Sequence, residues 1–231
     1  MNRHHTETGL EAGLEVQKHA LPARLTHWLM ALAILLLIGS GWRIYNASPI
    51  FAFRFPEWAT LGGDVEDALA LHNDPGVASA IAWHFAAMWL LVLSYLGFVL
   101  WGLASGHFRR DFLPVGPRAF LRDFVAAATF RLAHRLGEYN AVQRVFYWGV
   151  LGAVAMMLLS GIAIWKPVQT YPLETLFGGF QGARIVHFTF MSAIVLFLVV
   201  HVTLVALVPK TFIAMTLGKA TAPSHTTGAR R

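Results

Sequence analysis

The chain has 231 residues, of which 56% are hydrophobic and 13% charged, and its formal net charge is +6. Soluble domains carry about 25% charged residues, so this composition excludes an ordinary water-soluble fold. Cysteine is absent, which removes disulfides, thiolate metal sites, iron–sulfur clusters and covalently attached c-type haem.

Four windows contain no Asp, Glu, Lys or Arg: Leu25 to Trp42, Ala80 to Leu103, Val145 to Trp165 and Ile185 to Val208. A helix that crosses a bilayer needs about 17 to 25 such residues. The expected fold is therefore all-α, an integral membrane four-helix bundle with helices over 24–45, 80–104, 144–165 and 185–208. Residues 23–209 form the transmembrane domain, 1–22 a mobile N-terminus and 210–231 a polar tail. The first apolar run lacks a small-residue cleavage site and carries His27 and Arg43, so it reads as a retained helix rather than a signal peptide.

Charge distribution sets the expected orientation. With the N-terminus inside, segments 1–26, 105–144 and 209–231 hold fourteen of the eighteen Lys and Arg, and the two outer loops hold four together with six acids. That bias puts both termini in the cytoplasm of a plasma-membrane protein. It also assigns the basic loop to lipid headgroups rather than to nucleic acid.

The first outer loop, 46–79, contains Pro49, Pro56, Gly62-Gly63 and acids around Asp64 to Asp67. It is longer than a turn requires, so it is expected to cover or dock something. The inner loop 105–143 includes Pro117, which suits a first helical position. Phe120, Leu121 and Phe124 there alternate with Arg118 and Arg122, the pattern of a helix lying in the inner interface.

The chain repeats itself. Arg24 to Tyr45 aligns with Arg144 to Trp165, so Trp28 meets Trp148 and Ser40-Gly41 meets Ser160-Gly161. In the second and fourth spans, His84-Phe85-x-x-Met88 aligns with His187-Phe188-x-x-Met191. Two hairpins of the same orientation imply a pseudo-twofold along the membrane normal.

Four of the eleven histidines lie within the spans: His27, His84, His187 and His201. His187 and His201 are two heptads apart, so they share a helix face about 21 Å apart along the axis. His27 and His201 fall toward the cytoplasmic side, His84 and His187 toward the outer side. His84 and His187 are equivalent in the repeat, whereas His27 aligns with Tyr147 and His201 with Phe98. A lone intramembrane histidine most often bonds a neighbouring carbonyl, but four that pair at two depths point to ligation. A zinc site or transported cation would want three or four ligands at one level, usually with carboxylates or thiolates. Two imidazoles at each level suit instead the axial positions of a haem iron, with one-electron transfer as the function. The expected cofactors are two b-type haems, the inner on His27 and His201, the outer on His84 and His187.

A porphyrin needs small residues beside it, and Gly39, Gly41, Gly149, Gly152 and Gly161 are candidates. Arg24, Arg43, Arg184 and Lys210 are candidates for the haem propionates, though interfacial anchoring would place them equally well. His19, Arg24, His134, Arg135, Asn140 and Gln143 collect near the inner face and offer donors to a bound quinone, as a solvated loop would also do.

Arg24-Leu25-Thr26-His27-Trp28, the Ser-Gly near the end of the first span, the histidine of the second and the two of the fourth resemble the bacterial cytochrome b561 / nickel–iron-hydrogenase b-type cytochrome family. Ser105 to Asp111 and Glu138 to Arg144 look most like the thiosulfate-reductase-type branch, partners of molybdopterin enzymes. The resemblance covers residues 16 to 215. It implies a di-haem membrane subunit that passes electrons between quinone or quinol and a periplasm-facing oxidoreductase subunit of molybdopterin or hydrogenase type. It pairs the ligands as depth does. A stand-alone superoxide:quinone oxidoreductase and a histidine-based metal cation transporter are the competing readings.

Overall fold

A computed structural model describes residues 15–17, 20–62, 75–112, 116–129 and 141–221. The expectations placed on residues 1–14, on His19, on the acids Asp64 to Asp67, on His134, Arg135 and Asn140, and on the Lys210 side chain lie outside what is described.

Among the described residues, four helices are long and apolar enough to cross a membrane. They are α1 (Leu21–Ala47), α2 (Pro75–Ala104), α4 (Ala141–Trp165) and α6 (Gly179–Leu207). Each extends past its charge-free window. At 1.5 Å per residue, a helix of 27 residues is about 40 Å long, more than the hydrocarbon core of about 30 Å, so the added turns reach the headgroups. The starts shift accordingly: α2 begins at Pro75 rather than 80, and α6 at Gly179 rather than 185.

Proline opens most of these elements, since its missing N–H costs nothing in a first turn. Pro22, Pro75 and Pro209 do so in α1, α2 and α7 (Pro209–Leu217), and Pro117 opens the amphipathic α3 (Pro117–Ala128). A short α5 (Tyr171–Leu176) lies in the loop between α4 and α6. Within the segment expected as a polar tail, α7 is helical and is capped by Gly218 with φ of 77°. Within the expected N-terminal segment, β1 (Glu15–Gln17) pairs antiparallel with β2 (Lys219–Thr221).

The four described spans leave β1, β2, α3 and α7 at one end of the bundle, here the terminal end. Residues 48–62 and α5 occupy the opposite, loop end. Two hairpins, α1 with α2 and α4 with α6, provide most of the helix packing. Tyr95 Oη donates to the Leu151 carbonyl at 3.0 Å and Phe85 packs on Trp165, which sets α2 beside α4. Tyr45 against Phe188 sets α1 beside α6. The order around the bundle is therefore α1, α2, α4, α6, with α2 and α6 on a diagonal.

At mid-height Ala33, Leu91, Val154 and Ile194, one from each helix, form a buried apolar layer. The outward faces, with Leu93, Leu96, Leu100, Leu196, Val199 and Val202, are exposed and suit hydrocarbon.

The two polar ends are tied down by specific bonds. Asp123 on α3 accepts the Ala141 amide at 3.0 Å and so caps the first turn of α4. That amide, with Arg122 beside it, holds the Asp123 carboxyl below the usual carboxylate range against the opposing effect of burial. At the loop end, Asn46 exchanges two 2.9 Å hydrogen bonds with the Phe55 backbone. These bonds fold Phe51, Phe53 and Phe55 onto Tyr45, Trp42 and Phe188. The described part of the first loop therefore covers the bundle end, as its length suggested.

Candidate cofactor site: two histidine pairs

The loop-end pair is His84 on α2 and His187 on α6. Their ring centres lie 6.4 Å apart with the planes tilted by 56°. The pair spans the diagonal of the bundle, so a twofold that exchanges the hairpins maps it onto itself. The repeat is reproduced in its surroundings. Ser40 Oγ lies 3.0 Å from His84 Nδ1, and Ser160 Oγ lies 3.1 Å from His187 Nδ1. A Cβ added to Gly41 would stand 3.4 Å from His84 Cε1, and one on Gly161 3.3 Å from His187 Cε1. Each Ser-Gly step thus supplies a hydroxyl for the ring nitrogen and a gap into which the ring fits.

The terminal-end pair is His27 on α1 and His201 on α6, with ring centres 6.3 Å apart and the same tilt of 56°. These helices are neighbours, so the pair lies off the axis. Aromatic rings flank it: Trp28 meets His27 edge-on at 5.2 Å, and Phe197 stacks on His201 at 5.4 Å. The symmetry-related place between α2 and α4 holds no histidine pair. Phe98, which aligns with His201, packs there on Trp101 and Phe108, and Phe108 packs on Trp148.

The residues fit a haem axis. Imidazole–metal bonds are about 2 Å and the ring centre lies about 1.1 Å behind its nitrogen, so two imidazoles that shared one metal would have centres about 6.2 Å apart. The pairs stand close to that spacing, at 6.3 and 6.4 Å. Among the described residues no group of three or more His, Cys, Asp or Glu gathers as a cation site would require.

The four histidines therefore come together in two pairs, while Arg24 and Arg184 bond to groups at the helix ends. Arg24 donates to the carbonyls of Met215 and Thr216, and Trp28 Nε1 also reaches Met215 at 3.3 Å, so both cap α7. Arg184 joins Gln181 and Ser48, tying the start of α6 to the end of α1. Arg43 is buried, at 2% exposure, near the loop end of α1.

The glycines divide in the same way. Gly41 and Gly161 lie under the rings, and Gly149 and Gly152 face open space. Gly39 instead receives Leu61, whose amide donates to the Gly39 carbonyl at 3.0 Å. The role of Ser40 and Ser160 as ring partners was missed in sequence. The signal was available, since both recur at the same step of the repeat.

The chain is similar to known proteins over most of its length. The family description prokaryotic cytochrome b561 matches residues 18–218. A protein of Azospira oryzae with the provisional name protein-methionine-sulfoxide reductase subunit YedZ1 is 43% identical over 196 residues, 84% of this chain and 93% of the relative. A provisionally named Ni/Fe-hydrogenase B-type cytochrome subunit of Bradyrhizobium diazoefficiens is 24% identical over 81% of this chain and 76% of the relative. A protein of the same name from Cupriavidus necator is 28% identical over 78% and 75%.

Proposed function

The chain belongs to the prokaryotic cytochrome b561 family, and from that premise we propose that it binds two haems b and carries electrons between the membrane quinone pool and a partner oxidoreductase. It is a b-type cytochrome subunit and a multi-pass protein of the bacterial inner membrane. One observation supports the cofactor reading above others: two imidazole pairs at two heights, with ring centres 6.3 and 6.4 Å apart.

His84 and His187 would hold the loop-end haem, and His27 and His201 the terminal-end one. A haem b held by two imidazoles would supply one-electron transfer when bound. The protein does the rest. Gly41 and Gly161 let the loop-end rings sit close to α1 and α4. The layer of Ala33, Leu91, Val154 and Ile194 keeps water out between the two levels. The aromatic loop over Tyr45 and Phe188 shields the loop-end pair from the aqueous phase.

Orientation and partner follow from charge and kinship. In the sequence, segments 1–26, 105–144 and 209–231 hold fourteen of the eighteen Lys and Arg, which supports a cytoplasmic terminal end and a periplasmic loop end. The Azospira relative is matched over 93% of its length, which favours a methionine-sulfoxide reductase over a hydrogenase as the periplasmic partner.

The test is haem stoichiometry in protein expressed with ample haem. Wild type should carry two haems per chain that quinol reduces. His201→Ala should keep only the loop-end haem, and His84→Ala only the terminal-end one. Colourless wild-type protein, or a His201→Ala variant that retains both haems, would overturn the reading.

A further inference from the structure

We infer that Ser40 and Ser160 are positioning residues that hold the two loop-end imidazoles in one tautomer and lower the redox potential of the group these rings ligate. The inference rests on the haem reading above and adds a tuning device that acts on one level of the bundle alone.

The geometry dictates which atom carries the hydrogen. Both serines are fully buried, at 0% exposure. Ser40 Oγ donates to the Leu36 carbonyl at 2.7 Å, and Ser160 Oγ donates to the Met156 carbonyl at 2.7 Å. A hydroxyl has one hydrogen and two lone pairs. With the hydrogen committed to the helix, a lone pair faces the imidazole Nδ1 3.0 or 3.1 Å away. Nδ1 must then be the protonated nitrogen, which leaves Nε2 free to bind a metal. The reverse arrangement, with serine donating to Nδ1, would protonate Nε2 and abolish ligation. Ligand and serine thus select the same tautomer.

Back-bonding by a buried serine is ordinary in an apolar helix. Ser94 shows it here, donating to the Leu90 carbonyl at 2.6 Å with no histidine involved. At Ser40 and Ser160 a histidine nitrogen is added in both halves of the repeat. A ligating imidazole that donates through its second nitrogen is a stronger base and favours the oxidised metal. Ser40 and Ser160 sit against His84 and His187, so the effect falls on the loop end.

The test is a spectroelectrochemical titration of purified, haem-loaded protein in the His201→Ala background, where one component remains. Ser40→Ala and Ser160→Ala should each shift its midpoint potential upward, and the double variant should shift it most. The ferric low-spin signal should broaden as the rings gain freedom. Ser40→Thr should restore the wild-type potential, because threonines in this chain make the same bond, as Thr189 does to Ile185 and Thr203 to Val199. In otherwise wild-type protein the terminal-end component should not move. Loss of haem in Ser40→Ala with retention in Ser40→Thr would also support the assignment. Unmoved potentials, an equal shift at both levels, or loss of haem in both variants would overturn it. Haem-free wild type would sink the cofactor reading itself, whereas loaded protein with unmoved potentials would sink only the serine assignment.

Discussion

At the loop end His84 and His187 face each other across the diagonal and each ring meets a serine hydroxyl. At the terminal end His27 and His201 meet between neighbouring helices and are flanked by tryptophan and phenylalanine. The spacing and tilt of the two pairs are nearly the same, yet their supports are unlike. The reason lies in the symmetry. A site on the twofold is built twice by one motif, so Ser-Gly on α1 and Ser-Gly on α4 serve the same pair. A site off the axis has a mate that must be filled, and Phe98, Phe108 and Trp148 fill it. A duplicated hairpin thus yields a symmetric site directly. A second site requires the two halves to diverge.

Gly161→Val should separate the two ends most sharply. The position of its Cβ, 3.3 Å from His187 Cε1, leaves no room for valine's methyl groups. The loop-end haem should be lost while the terminal-end haem stays, read as a halved haem-to-protein ratio. A ratio that stays at two would mean that the ring has space elsewhere. Arg24→Ala should do the opposite in kind, loosening only the terminal end. It strips charged donors from the Met215 and Thr216 carbonyls, bonds of a type that contribute about 1.5–3 kcal/mol. Limited proteolysis should then cut within 209–217 sooner, with the loop-end potential unaltered.

The smallest expected effect is at Asp123. Its carboxyl titrates below the usual range, so the cap on α4 is present above about pH 4 and is lost as pH falls through the depressed value. Asp123→Asn should flatten the acid limb of a melting-temperature profile in detergent and cost about 1 kcal/mol near neutral pH. A steep acid limb that persists in the variant would assign it to other groups.

Much of the fold was legible because it depends on local counts. An uncharged apolar run has nowhere to go but hydrocarbon, so the four spans were visible from Leu25 to Val208. Intramembrane histidines stand out against that background, and a separation of fourteen positions sets His187 and His201 on one face. The ends were harder. Residues 171–176 and 209–217 are helical although no long apolar run marks them, because α7 is held by Arg24 and Trp28 from far away in sequence. Gly39 and Gly161 look alike as letters, but one receives the Leu61 backbone and the other a histidine ring.

Composition and spacing alone determined that this chain lies in a membrane, crosses it four times and presents four imidazoles at two depths, since these depend only on transfer free energy and helical repeat. Which helices become neighbours, and hence which histidines meet, which serine touches which ring and which arginine closes a helix end, was decided by tertiary packing. Those relations join residues tens of positions apart, and no local periodicity encodes the order in which four similar apolar cylinders pack.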